Sequence, residues 1–98
     1  MRLVYLPAAV RDLLWLRHYY ERVFPEGAAG AAGARARIRA MERLLRDNPH
    51  AGRPTHREGV RRLTIRRTPF FVVYRPTPER IEILRVFDGR AFDAGLED

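Results

Sequence analysis

The chain has 98 residues and a formal net charge of +7, carried by 19 arginines with no lysine among them; at that length it should form a single domain, residues 1–98. Leu, Ile, Val and Phe occupy 26 positions, enough to build a core without help. Cys, Ser, Lys and Gln are absent, which excludes disulfides, thiolate metal sites, serine nucleophiles, Schiff-base lysines and phosphate-loop lysines. No signal peptide or membrane span is expected. The apolar start Leu3–Leu6 meets Pro7, then Arg11 and Asp12, far short of about 20 apolar residues. The expected location is the cytoplasm.

Arg2–Leu6 reads as a short strand stopped by Pro7, and Pro7 suits the first turn of a following helix. Apolar residues at 9, 10, 13, 14, 16 and 20 then recur at helical spacing, predicting a helix over Pro7–Val23, with Trp15, Tyr19 and Tyr20 as core or groove packing. Phe24–Gly27 reads as a turn. Ala28–Arg46 returns to helical spacing through Ala34, Ile38, Met41, Leu44 and Leu45 and stops before Asn48-Pro49, so the two helices should form an antiparallel hairpin. Gly30 and Gly33 each cost about 1 kcal/mol relative to Ala inside a helix. Close approach to the first helix or ordering by a bound partner would account for them.

Pro49–Glu58 reads as a loop from its Pro, Gly and polar content. Three β-like runs follow: Val60–Ile65, Phe70–Arg75 and Arg80–Phe87. The middle run is apolar almost throughout and should be a central strand buried on both faces. In the last run, Ile81, Ile83 and Arg85 would face one side and Glu82, Leu84 and Val86 the other, an imperfect alternation. Thr68-Pro69 and Pro76–Glu79 are turns short enough for adjacent antiparallel pairs. The order is βααβββ, an α+β fold.

Charge is concentrated in the middle. Residues 1–34 sum to +1, residues 35–67 to +8 and residues 68–98 to −2. A block of that sign attracts a polyanion or an acidic protein segment, and Arg grips carboxylate and phosphate bidentately.

In order and at fitting spacings, the chain shows Ala8-Ala9 with Asp12-Leu13, the pair Leu44-Leu45 before Asn48-Pro49, Gly52-Arg53-Pro54, GVRRLTI from Gly59, TPFFVVYR from Thr68 and IEILRVFDGR from Ile81. This set, spanning about residues 2–92, resembles the ParE/RelE superfamily of bacterial toxins, and the ParE branch more closely. The resemblance implies an antiparallel sheet with an N-terminal helical hairpin packed on one face. It also implies the toxin half of a type II toxin-antitoxin module, cytoplasmic and neutralised by a cognate antitoxin whose C-terminal segment wraps the toxin.

RelE-like members cleave messenger RNA on the ribosome, which requires a base, an acid and cations for the crowded phosphate. ParE-like members poison DNA gyrase. Two positions separate the branches. The nuclease branch usually places Arg where this chain has Phe71, and many relatives of both branches place His where it has Asp88. An aspartate of ordinary pKa, about 4, is ionised at pH 7 and cannot serve as the acid. The expected activity is therefore gyrase inhibition by binding; the alternative is a ribosome-dependent endoribonuclease, whose cleavage-site candidates are Arg62, Arg66, Arg67, Arg90, His56 and Tyr74, with Arg66, Arg90 and His56 as the weak catalytic set. His50 and His56 read as solvated loop residues, and Asp88 can pair with Arg90 or Arg85. Partner-binding candidates are Arg53, Arg57, Arg61, Arg62, Arg66, Arg67 and Arg90. The antitoxin segment should lie between hairpin and sheet, its acids meeting the arginines of residues 53–67. No cofactor is expected and no metal, since His18, His50 and His56 have no ligand spacing and Asp88 with Asp93 is too sparse.

Overall fold

A computed structural model describes residues 1–23 and 28–90. The expected turn at Phe24–Gly27 and the position of Asp93 lie outside the described residues, as do the side chain of Tyr20 and the surroundings of Gly30. The elements are β1 (Arg2–Tyr5), α1 (Pro7–Val23), α2 (Ala28–Asp47), β2 (Arg53–Pro54), β3 (Arg61–Thr64), β4 (Phe70–Pro76) and β5 (Arg80–Asp88). Pro7 opens α1, whose first hydrogen bond runs from the Val10 N–H to the Leu6 carbonyl. Asn48 closes α2 by donating its N–H to the Leu44 carbonyl, and Pro49 forbids continuation.

One five-stranded sheet runs in the order β1-β5-β4-β3-β2. Both helices pack on one of its faces, as expected. Two features depart from the all-antiparallel, four-stranded expectation. Strand β1 pairs parallel to β5, Leu3 opposite Ile81 and Tyr5 opposite Ile83, because the helical hairpin carries the chain back across the sheet before β2 begins. Within the expected Pro49–Glu58 loop, Arg53 and Pro54 form a two-residue edge strand against Arg62 and Arg61; an edge position tolerates the missing N–H of proline.

The FFVVYR run is the central strand, with Phe70, Val72 and Tyr74 at most 1% exposed and Phe71 3% exposed. Its register with β5 shifts between Val73, opposite Arg85, and Tyr74, opposite Ile83, so Leu84 is skipped. That bulge corrects the expected alternation. Val86 turns to the same face as Ile81 and Ile83 and joins the core, while Arg85 stays outside. Leu16, Ala34, Met41 and Leu45 meet this face from the helices, each buried Leu or Met side chain contributing about 1.5–3 kcal/mol. At the rim, Trp15 stacks on Tyr19 with ring centres 5.5 Å apart, and both rings meet Phe70 edge-on. Of the aromatic residues expected to pack, Trp15 and Tyr19 do so here, although Trp15 remains half exposed.

Candidate partner-binding surfaces

Strand β2 is held in place from beneath. Tyr74, on the inner face of β4, donates its hydroxyl to the Pro49 carbonyl at 2.8 Å and accepts the Gly52 N–H at 2.9 Å. Burial raises its pKa above the ordinary tyrosine value. A Cβ at Gly52 would stand 2.6 Å from the Arg62 carbonyl and 2.8 Å from the Tyr74 hydroxyl, so only glycine fits. Arg61 completes the clasp by donating to the Gly52 carbonyl at 2.7 Å. Both Tyr74 and Arg61, candidates on sequence grounds, thus hydrogen-bond to the backbone of residues 49–52.

The clasp sets Arg53 beside Arg62 on the sheet face opposite the helices. There a groove of about 600 Å³ is lined by Arg53, His56, Arg57, Arg62, Phe71, Val73 and Phe87. Arg62 lies over the Phe71 ring, 4.0 Å from its centre, and its Nε is buried without an acceptor. Phe71 and Phe87 meet at 5.6 Å. The connection that presents Arg57 is ordered by Thr55, whose hydroxyl accepts the Arg57 N–H at 3.1 Å and donates to the Val60 carbonyl at 2.9 Å.

A second groove, about 510 Å³, runs between α2 and β3. Its floor is Met41, Leu44 and Leu63, and its rim carries Arg37, Arg66 and Arg67. Arg37 Nε is buried without an acceptor. Arg66 and Arg67 occupy the β3–β4 turn, closed by the Thr68 N–H to the Ile65 carbonyl, and Arg67 sits at φ 65°. Gly33 also borders this groove, and the nearest atom to a Cβ there would be Arg37 Nη1 at 3.2 Å. Among the described residues, no atom of α1 lies within 4 Å of that position.

Arg90 lies at the end of β5, where Asp88 holds it bidentately and the Tyr19 hydroxyl accepts from Nη2 at 3.1 Å. These hydrogen bonds, that of Asp88 foremost, push its pKa further up. Of the two partners open to Asp88 in sequence, it takes Arg90. Arg85 pairs instead with Asp12 of α1, which accepts from Nε at 2.8 Å and Nη2 at 3.1 Å and also takes the Val86 N–H at 2.8 Å. Sequence reasoning missed this role of Asp12, since 73 residues separate the pair and no local pattern marks it.

The basic candidates are therefore divided rather than gathered. Arg53, Arg57, Arg62 and His56 share the outer groove, Arg66 and Arg67 the groove beside α2, and Arg90 a smaller recess with Arg62, Phe71 and Gly89. Arg66, Arg90 and His56 do not converge on one point. Among the described residues no cluster of His, Asp or Glu is arranged to hold a metal ion, and no helix is long and apolar enough to cross a membrane.

Residues 3–91 match the family model described as the ParE toxin of the type II toxin-antitoxin system, parDE. No curated protein sequence matches the chain significantly. Among solved structures, a chain of the chromosomal ParDE toxin-antitoxin system from P. aeruginosa is similar. It is 32% identical over 90% of this chain and 95% of that one, with a TM-score of 0.74.

Proposed function

Because the chain belongs to the ParE toxin family of type II toxin-antitoxin systems, we propose that it acts in the cytoplasm by binding and inhibiting DNA gyrase, and that a cognate antitoxin neutralises it. The observation that carries this reading is the state of the surface where message cleavage would need its chemistry. Phe71, almost fully buried, stands where an anion-clamping side chain would be required, and Asp88 neutralises Arg90. A carboxylate already engaged by a guanidinium has no proton to give a leaving oxygen. What remains is a set of arginine-bordered apolar grooves suited to holding a macromolecule.

The groove beside α2 suits the antitoxin. An amphipathic segment would lay apolar side chains on Met41, Leu44 and Leu63 and carboxylates against Arg37, Arg66 and Arg67. This narrows the sequence-based placement, since Arg53, Arg57 and Arg62 lie on the far face of the sheet and Arg61 is committed to the loop. Replacing Arg66 and Arg67 by Ala should weaken antitoxin binding and make it less salt-sensitive, whereas unchanged affinity would remove the placement.

A supercoiling assay decides the target. Purified chain should inhibit gyrase, and added antitoxin should restore turnover. Undisturbed supercoiling together with codon-specific cuts in translated messages would replace this reading with an endoribonuclease.

A further inference from the structure

Three arginines border the groove between α2 and β3, and they are not equivalent. Arg66 and Arg67 stand exposed on the β3–β4 turn. Arg37 is only partly exposed and lies along the wall, with Met41 and Leu44 one and two turns further on the same side of α2. Among the described residues no carboxylate lines the groove, so none of the three is answered there.

Arg37 carries a defect that the other two lack. Its Nε is buried without an acceptor. Among the described residues its one hydrogen bond runs from Nη1 back to the Gly33 carbonyl at 3.5 Å, long for a bond of this kind. A buried N–H left unmet is a cost to the folded chain. Arg62 has the same deficit, but its guanidinium rests on the Phe71 ring, 4.0 Å from the centre, and Arg37 has no such support. The resting place of Arg37 depends on glycine. A Cβ at Gly33 would stand 3.2 Å from Nη1, so the missing side chain is what lets the guanidinium lie back along the helix. On the groove side, Ala36 and Ala40 are small and exposed, leaving room for that guanidinium to turn and for a partner backbone to come close.

We propose that Arg37 is the anchor of this groove: parked against Gly33 in the free chain, its guanidinium turns outward to take one carboxylate of an acidic, helical partner segment through Nε and Nη, while Arg66 and Arg67 steer that segment from the rim. The inference rests on the antitoxin placement proposed above and names the side chain and the chemistry that hold it. A donor that is unmet at rest is cheap to move, and a planar fork meets a carboxylate on two bonds once turned.

Arg37→Met tests both halves. In the isolated full chain it removes the unmet donor at similar volume, so the urea midpoint should rise. Against the cognate antitoxin the same variant should lose about 30-fold or more in affinity, mainly through faster dissociation. Arg37→Lys keeps the charge without the fork and should lose nearly as much. Arg66→Ala with Arg67→Ala should instead slow association and flatten its salt dependence. Combining Arg37→Met with Asp→Asn and Glu→Gln changes along the antitoxin's C-terminal segment should find one acid whose loss costs nothing further in that background. A midpoint that is unchanged or lower, full affinity in Arg37→Lys, or no coupled acid would each overturn the proposal. Binding that depends on Arg66 and Arg67 but not on Arg37 would remove this inference alone, whereas binding indifferent to all three would remove the antitoxin placement with it.

Discussion

Asp88 closes on Arg90 from three directions: its Oδ1 accepts the Arg90 backbone N–H at 3.0 Å and Nε at 3.2 Å, while Oδ2 accepts Nη2 at 3.0 Å. The guanidinium is thereby directed over the Tyr19 ring, 5.7 Å from its centre. A cation at the strand end that sequence marked as a catalytic and partner-binding candidate is already engaged within its own chain.

Asp88→Asn should release Arg90 into the recess it shares with Arg62. The melting midpoint should change little, because the largely exposed Arg90 guanidinium leaves the pair screened by water, and no message cleavage should appear. Primer extension on translated transcripts reads the last point. Cuts in the variant would show that Asp88 alone was holding back catalysis.

Arg67 holds a positive φ of 65° in the β3–β4 turn, a conformation that glycine adopts freely. Arg67→Gly relieves about 1–2 kcal/mol of backbone strain against about 0.5–1 kcal/mol of added chain entropy in the unfolded state. A small gain in urea midpoint is expected, accompanied by weaker antitoxin binding. A variant that loses stability would mean that the arginine side chain itself supports the turn.

Tyr74→Phe should remove the clasp with almost no change in volume. The Gly52 N–H and Pro49 carbonyl would lose their partner, at a cost of about 1–3 kcal/mol for buried polar groups. Chemical denaturation measures it. An unchanged midpoint would show that Arg61 holds the loop alone.

Stability should decline in alkali. Tyr5 is held neutral far above the ordinary tyrosine pKa of 10.0, by burial first and then by its hydrogen bond to Glu42, and Tyr74 shifts the same way. Raised folded-state values mean that the native chain binds more protons than the unfolded one as pH climbs past about 10. Their contribution is intact below that pH and is lost above it. Urea midpoints at about pH 8 and about pH 11 should therefore diverge, less so in Tyr5→Phe. A flat profile would contradict the burial of these hydroxyls.

Much of the local structure was legible from residue order. Pro7, Asn48-Pro49 and the 3.6-residue recurrence bounded the helices, and Phe70–Arg75 identified its own central position by being apolar on both faces. The skipped Leu84 was not legible. Alternation in Arg80–Phe87 looked merely imperfect, and only pairing with β4 shows that a bulge carries Val86 into the core. The Tyr74 clasp was hidden for a similar reason, because its partners lie 22 and 25 residues away and are backbone atoms that carry no residue signature.

Composition and periodicity by themselves determined that this chain has an α+β fold, that its positive charge gathers in residues 35–67, and that neither thiol nor serine chemistry is available to it. Those properties depend on which residues are present and on spacing along the chain. Tertiary structure alone decided which arginines are neutralised and which remain open, dividing a single basic block between two sides of a sheet and assigning Asp12 and Asp88 to different guanidinium groups. Electrostatic pairing acts over a few ångströms of space, so positions far apart in sequence settle it only once the sheet and hairpin have brought them together.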